Sequence, residues 1–204
     1  MIMKPTILDL CGGTGSWSKP YKEAGYDVRV ITLPEFDVRL FPSKPSLKSR
    51  LPKEFEDVSE FPKVYGILAA PVCTCFSGSG ACWKRSDSEM LDALSLVDAC
   101  IRIVHVLKPK FWALENPVGK LRKWLGKPVM TFNPCDFGDP YKKRTLLWGD
   151  FNTDLKRNPV KPIVPSPLHQ NYGGKSERTK MMRSITPHGF AKAFFEANKL
   201  KELK

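Results

Sequence analysis

Short apolar runs closed by turn-forming residues recur along this chain, and their spacing predicts its architecture. PTILDL (residues 5–10) reads as a buried strand, followed at once by the glycine-rich turn CGGTGSW and a helical stretch, SKPYKEAGY, that stops near Gly25. Strand, glycine turn and helix open an α/β nucleotide-binding unit. YDVRVITL (26–33), VYGILAA (64–70), FWALENP (111–117) and RTLLWGDF (144–151) read as further strands. Between them, Ser86 and Glu89 have the spacing of a capping box, and Met90, Leu94, Val97, Ile101 and Val104 mark one face of a helix that Pro109 ends. A last helix starts near the proline of RSITPHGFAKAFFEANK, with Phe190, Phe194 and Phe195 on its packing face. Strands alternating with helices predict an α/β fold: a doubly wound, mostly parallel, Rossmann-like sheet with helices on both faces.

Two stretches break the pattern. Phe36 to Pro62 carries prolines, lysines and glutamates with little periodicity and reads as loop and short helix. Asn152 to Gly174 is proline-rich and reads as a linker or surface loop. The organisation expected is a core over residues 1–151, a linker over 152–177 and a segment over 178–204 that packs back on the core.

Composition narrows the partners. A chain of 204 residues is long enough to bury a substantial core as one domain, which excludes a peptide-like or disulfide-stapled scaffold. Its 33 Lys and Arg against 21 Asp and Glu leave a formal charge of +12, which points to a polyanionic partner. Six cysteines, no secretory leader pattern and no apolar run long enough to span a bilayer point to a reducing cytoplasm and no membrane. A monomer is expected.

Three chemically distinctive groups fall at the ends of predicted strands, where open α/β sheets bind ligands. In DLCGGTG (residues 9–15) the glycines let the backbone approach a ligand closely, and no Gly-Lys-Ser/Thr follows to make a P-loop. In PVCTCFSGSG a cysteine sits on a turn beyond a buried strand, placed as a nucleophile would be. An inert thiol, or a metal site using Cys73, Cys75 and Cys82, also fits that pattern, although no fourth ligand stands at a suitable spacing. Cys100, on the long helix, reads as core. The third group is Glu115 in ENP, a carboxylic acid ending an apolar strand, which must be solvated, paired or functional. A thiol and an acid beyond neighbouring strands could serve as nucleophile and proton donor on one bound ring.

Taken in order, these segments resemble the DNA cytosine-5 methyltransferases, in a short form. DLCGGTGSW is similar to the family's Asp-Leu-Phe-x-Gly-x-Gly-Gly cofactor motif, PVCTCFS to Pro-Pro-Cys-Gln-x-Phe-Ser, and ENP to Glu-Asn-Val. DFGDPYKKRTLLWG resembles the Gly-x-Pro-Gln-x-Arg-x-Arg segment, and RSITPHGFAKAF the closing Gly-Asn-x-Val-Pro-Pro-x-x-Ala-x-Ala motif. The resemblance implies S-adenosyl-L-methionine as cofactor. It implies a cofactor site from Asp9, Leu10, Cys11, Gly12, Gly13, Thr14, Gly15, Ser16 and Trp17, with Thr32, Glu35, Asp37, Pro71 and Ser184. It implies Cys73 as nucleophile, chosen over Cys75 by the spacing to Phe76 and Ser77, with Glu115 as the acid that holds the base and Arg144 as a further catalytic group. Pro71, Thr74, Ser77, Asn116, Lys143 and Arg144 would contact substrate.

The chain departs from the pattern at Cys11 for Phe, Ser16 for the third Gly, Val72 for Pro and Thr74 for Gln. In the basic segment Tyr141 aligns with Gln, Lys143 with the first Arg and Thr145 with the second, with Arg144 adjacent. Only about 35 residues separate Trp148 from Arg183, where the family inserts a target-recognition domain, so residues 152–177 would be at most a reduced recognition loop. The resemblance therefore implies methylation of cytosine C5 in DNA with short or no sequence context. RNA or a free cytidine nucleotide would also account for the missing domain, and an inactive nucleic-acid-binding protein would account for the departures. The compact length suits a mobile or viral genome that modifies its own DNA.

Overall fold

The computed structural model describes residues 4–41, 63–78, 84–163 and 184–201. Six strands form one sheet: β1 (Thr6–Leu10), β2 (Asp27–Ile31), β3 (Val64–Ala69), β4 (Phe111–Pro117), β5 (Met130–Phe132) and β6 (Thr145–Asp150), in the order β2-β1-β3-β4-β6-β5. Strands β2, β1, β3 and β4 are parallel, and β6 runs antiparallel to both β4 and β5. The expected doubly wound, mostly parallel sheet is present. The sequence pattern misses β5 and the reversal of β6. Residues 133–144, which join β5 to β6, carry only a 3-10 turn at Pro134–Phe137, so no crossover helix returns the chain in parallel.

Side chains alternate between the two faces as strand geometry requires. Leu8, Leu10, Ile67, Ala69, Leu114, Leu146 and Trp148 pack on one side, against α2 (Asp87–Leu107). Ile7, Leu68, Ala113 and Leu147 pack on the other, with residues of α1 (Lys19–Glu23) and α4 (His188–Asn198). Helix α2 starts where expected: Ser86 accepts from the Glu89 amide at 3.1 Å while Glu89 accepts from the Ser86 amide at 2.8 Å. Such a box contributes about 1 kcal/mol. Lys108, in the left-handed region at φ 47°, closes the helix one residue before Pro109. Among the described residues no helix is long and apolar enough to cross a membrane.

From β1 the chain moves to β2 on one side and then crosses to β3 on the other, so the strand order reverses at β1 and β3. The carboxyl ends of those strands therefore flank the crevice where such sheets take ligands. The glycine turn follows β1, and Pro71 to Ser77 follows β3. Residues 42–62 and 164–183, and with them part of the expected loop, most of the linker and Arg183, lie outside the described residues, as does Cys82.

Candidate active site

The glycine turn is held from beneath by a buried acid. Asp9, fully buried near the end of β1, accepts a 2.5 Å hydrogen bond from the Ser18 hydroxyl, while its Oδ1 has no partner among the described residues. Its carboxyl group lies directly under Gly12: a Cβ there would fall 2.3 Å from the Asp9 Cγ, so only glycine fits. Burial raises the Asp9 pKa from 3.8 to about 6 against the lowering by Ser18. The folded value lies above the unfolded one, so this group's stability is fully present below about pH 4 and is lost as pH rises through about 6. The loss amounts to about 3 kcal/mol. Asp9→Asn should remove it. Urea unfolding should show the variant gaining on the wild type by about that amount between pH 4 and 7, and parallel pH profiles would contradict the assignment.

Above Asp9 the turn is open. Gly13 and Thr14 are exposed, and Gly13 takes φ 54°, a conformation suited to glycine. Cys11, at φ 56°, donates its amide to the Ile31 carbonyl at 2.7 Å and so ties the turn to the end of β2. The Cys11 thiol faces inward: its hydrogen bond, with burial, pushes the pKa of Cys100 well up. Ser184 comes within 3.6 Å of where a Gly13 Cβ would stand, and Ser16 Oγ accepts the Thr186 amide at 2.8 Å. The C-terminal segment thus docks on the glycine turn. Two residues of the implied cofactor set have their side chains in the core. Leu10 is fully buried against the α2 face, and Trp17 sits between Phe190 and Phe194 of α4, with ring centroids 5.8 and 5.4 Å away.

Past β2, Thr32 accepts the Phe36 amide at 2.9 Å and Glu35 is exposed. Both Asp37 oxygens accept from the Arg39 guanidinium, at 2.6 to 2.9 Å, and Arg39 also pairs with Asp92 of α2. The hydrogen bonds from Arg39 hold the Asp37 pKa below the usual carboxylate range. Asp37 thereby pins the 3-10 turn Val38–Leu40 to the long helix.

The cysteine loop is zipped to the segment that follows β4. Asn116 Nδ2 donates to the Pro71 carbonyl at 3.0 Å, Gly78 donates to Val118 at 2.9 Å, and Lys120 donates to Phe76 at 2.7 Å. Ser77 and Gly119 form a bridge, and Gly119 leaves no room for a side chain: its Cβ would lie 1.8 Å from the Phe76 carbonyl oxygen. The Cys73 carbonyl accepts from the amides of Phe76 and Ser77 at 3.0 and 2.8 Å, which curls the loop, and Phe76 is its fully buried anchor. Cys73 is half-buried, and Val72 and Thr74 beside it are exposed. Cys75 differs: its thiol donates to the Glu89 carbonyl of α2 at 3.6 Å and packs against the core.

Glu115, adjacent to Asn116, sits half-buried near the carboxyl end of β4. Burial raises its pKa, and the charge of Lys143 pulls it back. Tyr141, which the sequence offered only as an aligned position, belongs to the same neighbourhood: burial, Asp139 and Glu115 push it up to about 12. Register explains the proximity, since Pro117 pairs with Thr145 and Val118 donates to the Arg144 carbonyl at 3.1 Å. Thr145 is buried, and its hydroxyl holds the Lys143 carbonyl at 2.9 Å, while Arg144 is exposed. The arrangement thus ties a thiol loop to a strand bearing a carboxylic acid with raised pKa, beside an open glycine turn.

No family model matches this chain, and no curated protein matches it. Solved structures do match, among them a candidate DNA modification methyltransferase encoded within a prophage, from E. coli. The two are 19% identical with a TM-score of 0.46, over 85% of this chain and 56% of the other. The chain spans little more than half the length of that protein.

Proposed function

We propose that the protein transfers a methyl group from S-adenosyl-L-methionine to C5 of cytosine in DNA through a transient bond to Cys73. The observation that carries this reading is the direct tie between the Cys73 loop and the Glu115 strand, made by Asn116 and the Ser77–Gly119 bridge. In support, Cys73 follows β3 and Glu115 lies near the carboxyl end of the neighbouring β4, an arrangement in which one ring would meet both.

The residues present suit the cofactor. An exposed left-handed Gly13 with Ser184 alongside, and under the adjacent Gly12 a buried Asp9 acceptor unpartnered among the described residues, make a cradle with backbone polar groups and no bulk. Gly13, Thr14 and Gly15 would hold the amino-acid end, and Thr32 and Glu35, just past β2, the ribose. The bound group supplies an electrophilic methyl on a sulfonium centre.

The chain's own side chains do the rest. Cytosine C5 is a poor nucleophile while its ring is aromatic. The Cys73 thiolate adds to C6 as Glu115 donates to N3, which makes C5 enamine-like and able to accept the methyl. Loss of the C5 proton to a base then expels the thiolate. The raised pKa of Glu115 keeps a larger share of it protonated near neutral pH than an ordinary glutamate, as a donor to N3 requires. The Asn116 amide holds the Pro71 carbonyl, two residues before Cys73, and so would help to position the Cys73 loop. A base inside a duplex shields C6, so the target is flipped out or presented unpaired.

Tritium transfer from labelled S-adenosyl-L-methionine to DNA, RNA and dCMP in parallel tests the reading. Incorporation into DNA as 5-methylcytosine is the expected result. Label in dCMP alone would overturn the substrate, and none anywhere would favour a binding protein.

A further inference from the structure

Beside the Glu115 strand lies a cavity of about 400 Å3, lined by Arg122, Lys127 and Arg144 among Val118, Pro128, Val129, Met130, Thr131 and Leu146. Its three charged residues are all cations. They come from three separate places: Arg122 from the short helix α3 (Arg122–Leu125), Lys127 from the turn before β5, and Arg144 from the start of β6. Pairing brings them together, since Val129 donates to Leu147 at 2.8 Å, Val118 to Arg144 at 3.1 Å, and the Trp148 indole to Gly126 at 3.1 Å. All three are exposed, and none is ion-paired with a carboxylate among the described residues.

The sequence around them carries no acid. Residues 118–135 hold Lys120, Arg122, Lys123 and Lys127 with no Asp or Glu, and residues 140–149 hold Lys142, Lys143 and Arg144 with none. A surface evolved only for solubility intersperses the two signs. Trp124, on α3, is 47% exposed while its ring packs edge-on to Phe76 of the cysteine loop, centroids 5.9 Å apart. An exposed aromatic ring beside unpaired cations is the pairing of stacking platform and electrostatic groove that single-stranded nucleic acids require.

We propose that this cavity holds backbone phosphates of the DNA strand that carries the target base, with Arg122 and Lys127 as its phosphate-binding residues and Trp124 as a stacking surface for a flanking base. The proposal rests on the function argued above and deepens it: the substrate is a strand and not a free nucleotide, because a mononucleotide reaching Glu115 leaves Arg122 and Lys127 unused. On this reading, this edge of the core supplies affinity though not sequence readout.

Fluorescence anisotropy of a labelled single-stranded oligodeoxynucleotide, titrated over a range of salt, tests the site without any need for turnover. The double variant Arg122→Glu, Lys127→Glu should bind on the order of tenfold more weakly and show a salt slope smaller by more than about one unit. Lys22→Glu, an exposed lysine on α1 at the opposite end of the strands, should bind as the wild type does. Equal weakening by Lys22→Glu would reduce the effect to net charge and overturn the site, as would unchanged binding by the double variant or no binding by the wild type. Calorimetric binding of S-adenosyl-L-methionine by each variant verifies the fold. A protein that binds the strand through this cavity but transfers no methyl group would keep the site and defeat only the proposed reaction.

Discussion

Cys73→Ser should abolish methyl transfer, with a loss of at least about 10^3-fold in kcat, while Cys75→Ser should retain most of the activity. The two sulfurs are two residues apart and chemically identical, so position alone separates them. Cys75 donates to a carbonyl of α2 and packs against the core. Cys73 begins the curl of the loop, with its own carbonyl taking two amides and the next residue exposed. A serine at 73 preserves the two hydrogen bonds that curl the loop, because they run through the Cys73 carbonyl. Its hydroxyl is too weakly acidic to supply an anion at neutral pH. Affinity for S-adenosyl-L-methionine should therefore survive the substitution, and the loss should lie in turnover, measured by single-turnover transfer of labelled methyl. Loss of activity in Cys75→Ser with retention in Cys73→Ser would reverse the assignment.

Glu115→Gln should lower kcat by about 10^2- to 10^4-fold with little change in cofactor affinity, since an amide can hydrogen-bond the base but cannot give up a proton to it. The acid has a pH signature as well. Its folded pKa is raised by burial, so the protonated form, the active donor, is lost as pH rises through that value. The alkaline limb of kcat/KM reports it. Lys143 favours the charged carboxylate and so holds the pKa down. Replacing Lys143 with Met should let the pKa rise further and move the alkaline limb to higher pH. A limb that stays in place or moves to lower pH would dissociate the acid from this glutamate.

How far the sequence carried the fold depended on the length of each element. β1, β3 and β4 are apolar runs bounded by turn residues, and their limits differ from the expected ones by a residue at most. β5 is three residues, Met130–Phe132, too short to show a period, and without it the reversed direction of β6 had no visible cause. In α2 the reading followed large apolar side chains, Met90, Leu94 and Ile101, which lie at the flank. The buried centre runs through the smaller Ala93, Ala99 and Cys100 together with Leu96, Val97 and Ile103, because close approach to the sheet selects small residues. Phe190, Phe194 and Phe195 of the last helix face inward as their spacing suggested.

The site was legible where chemistry is local in sequence and hidden where pairing creates it. Asp9, near the end of β1, and Gly12 and Gly13 of the turn after it lie within five residues, so their order alone marks a candidate bend. That Trp17 packs under α4, and that the Arg39 partner of Asp37 is itself tied to Asp92 of α2, depends on elements far along the chain. Tyr141 and the Arg122, Lys127 and Arg144 cavity were out of reach for the same reason. Nothing in the sequence states that residues 118–131 and 141–146 lie side by side until β6 is laid against both β4 and β5.

Trapping on a DNA oligonucleotide containing 5-fluorocytosine, with S-adenosyl-L-methionine present, tests the central claim most directly. Fluorine at C5 cannot leave as a proton does, so a thiolate bonded to C6 stays bonded after the methyl has arrived. The account predicts a denaturation-resistant complex whose mass equals protein plus oligonucleotide plus one methyl group less the thiol hydrogen, with the bond mapped by peptide mass spectrometry to Cys73. A methylated product on any atom other than C5, with no covalent complex formed, would contradict it.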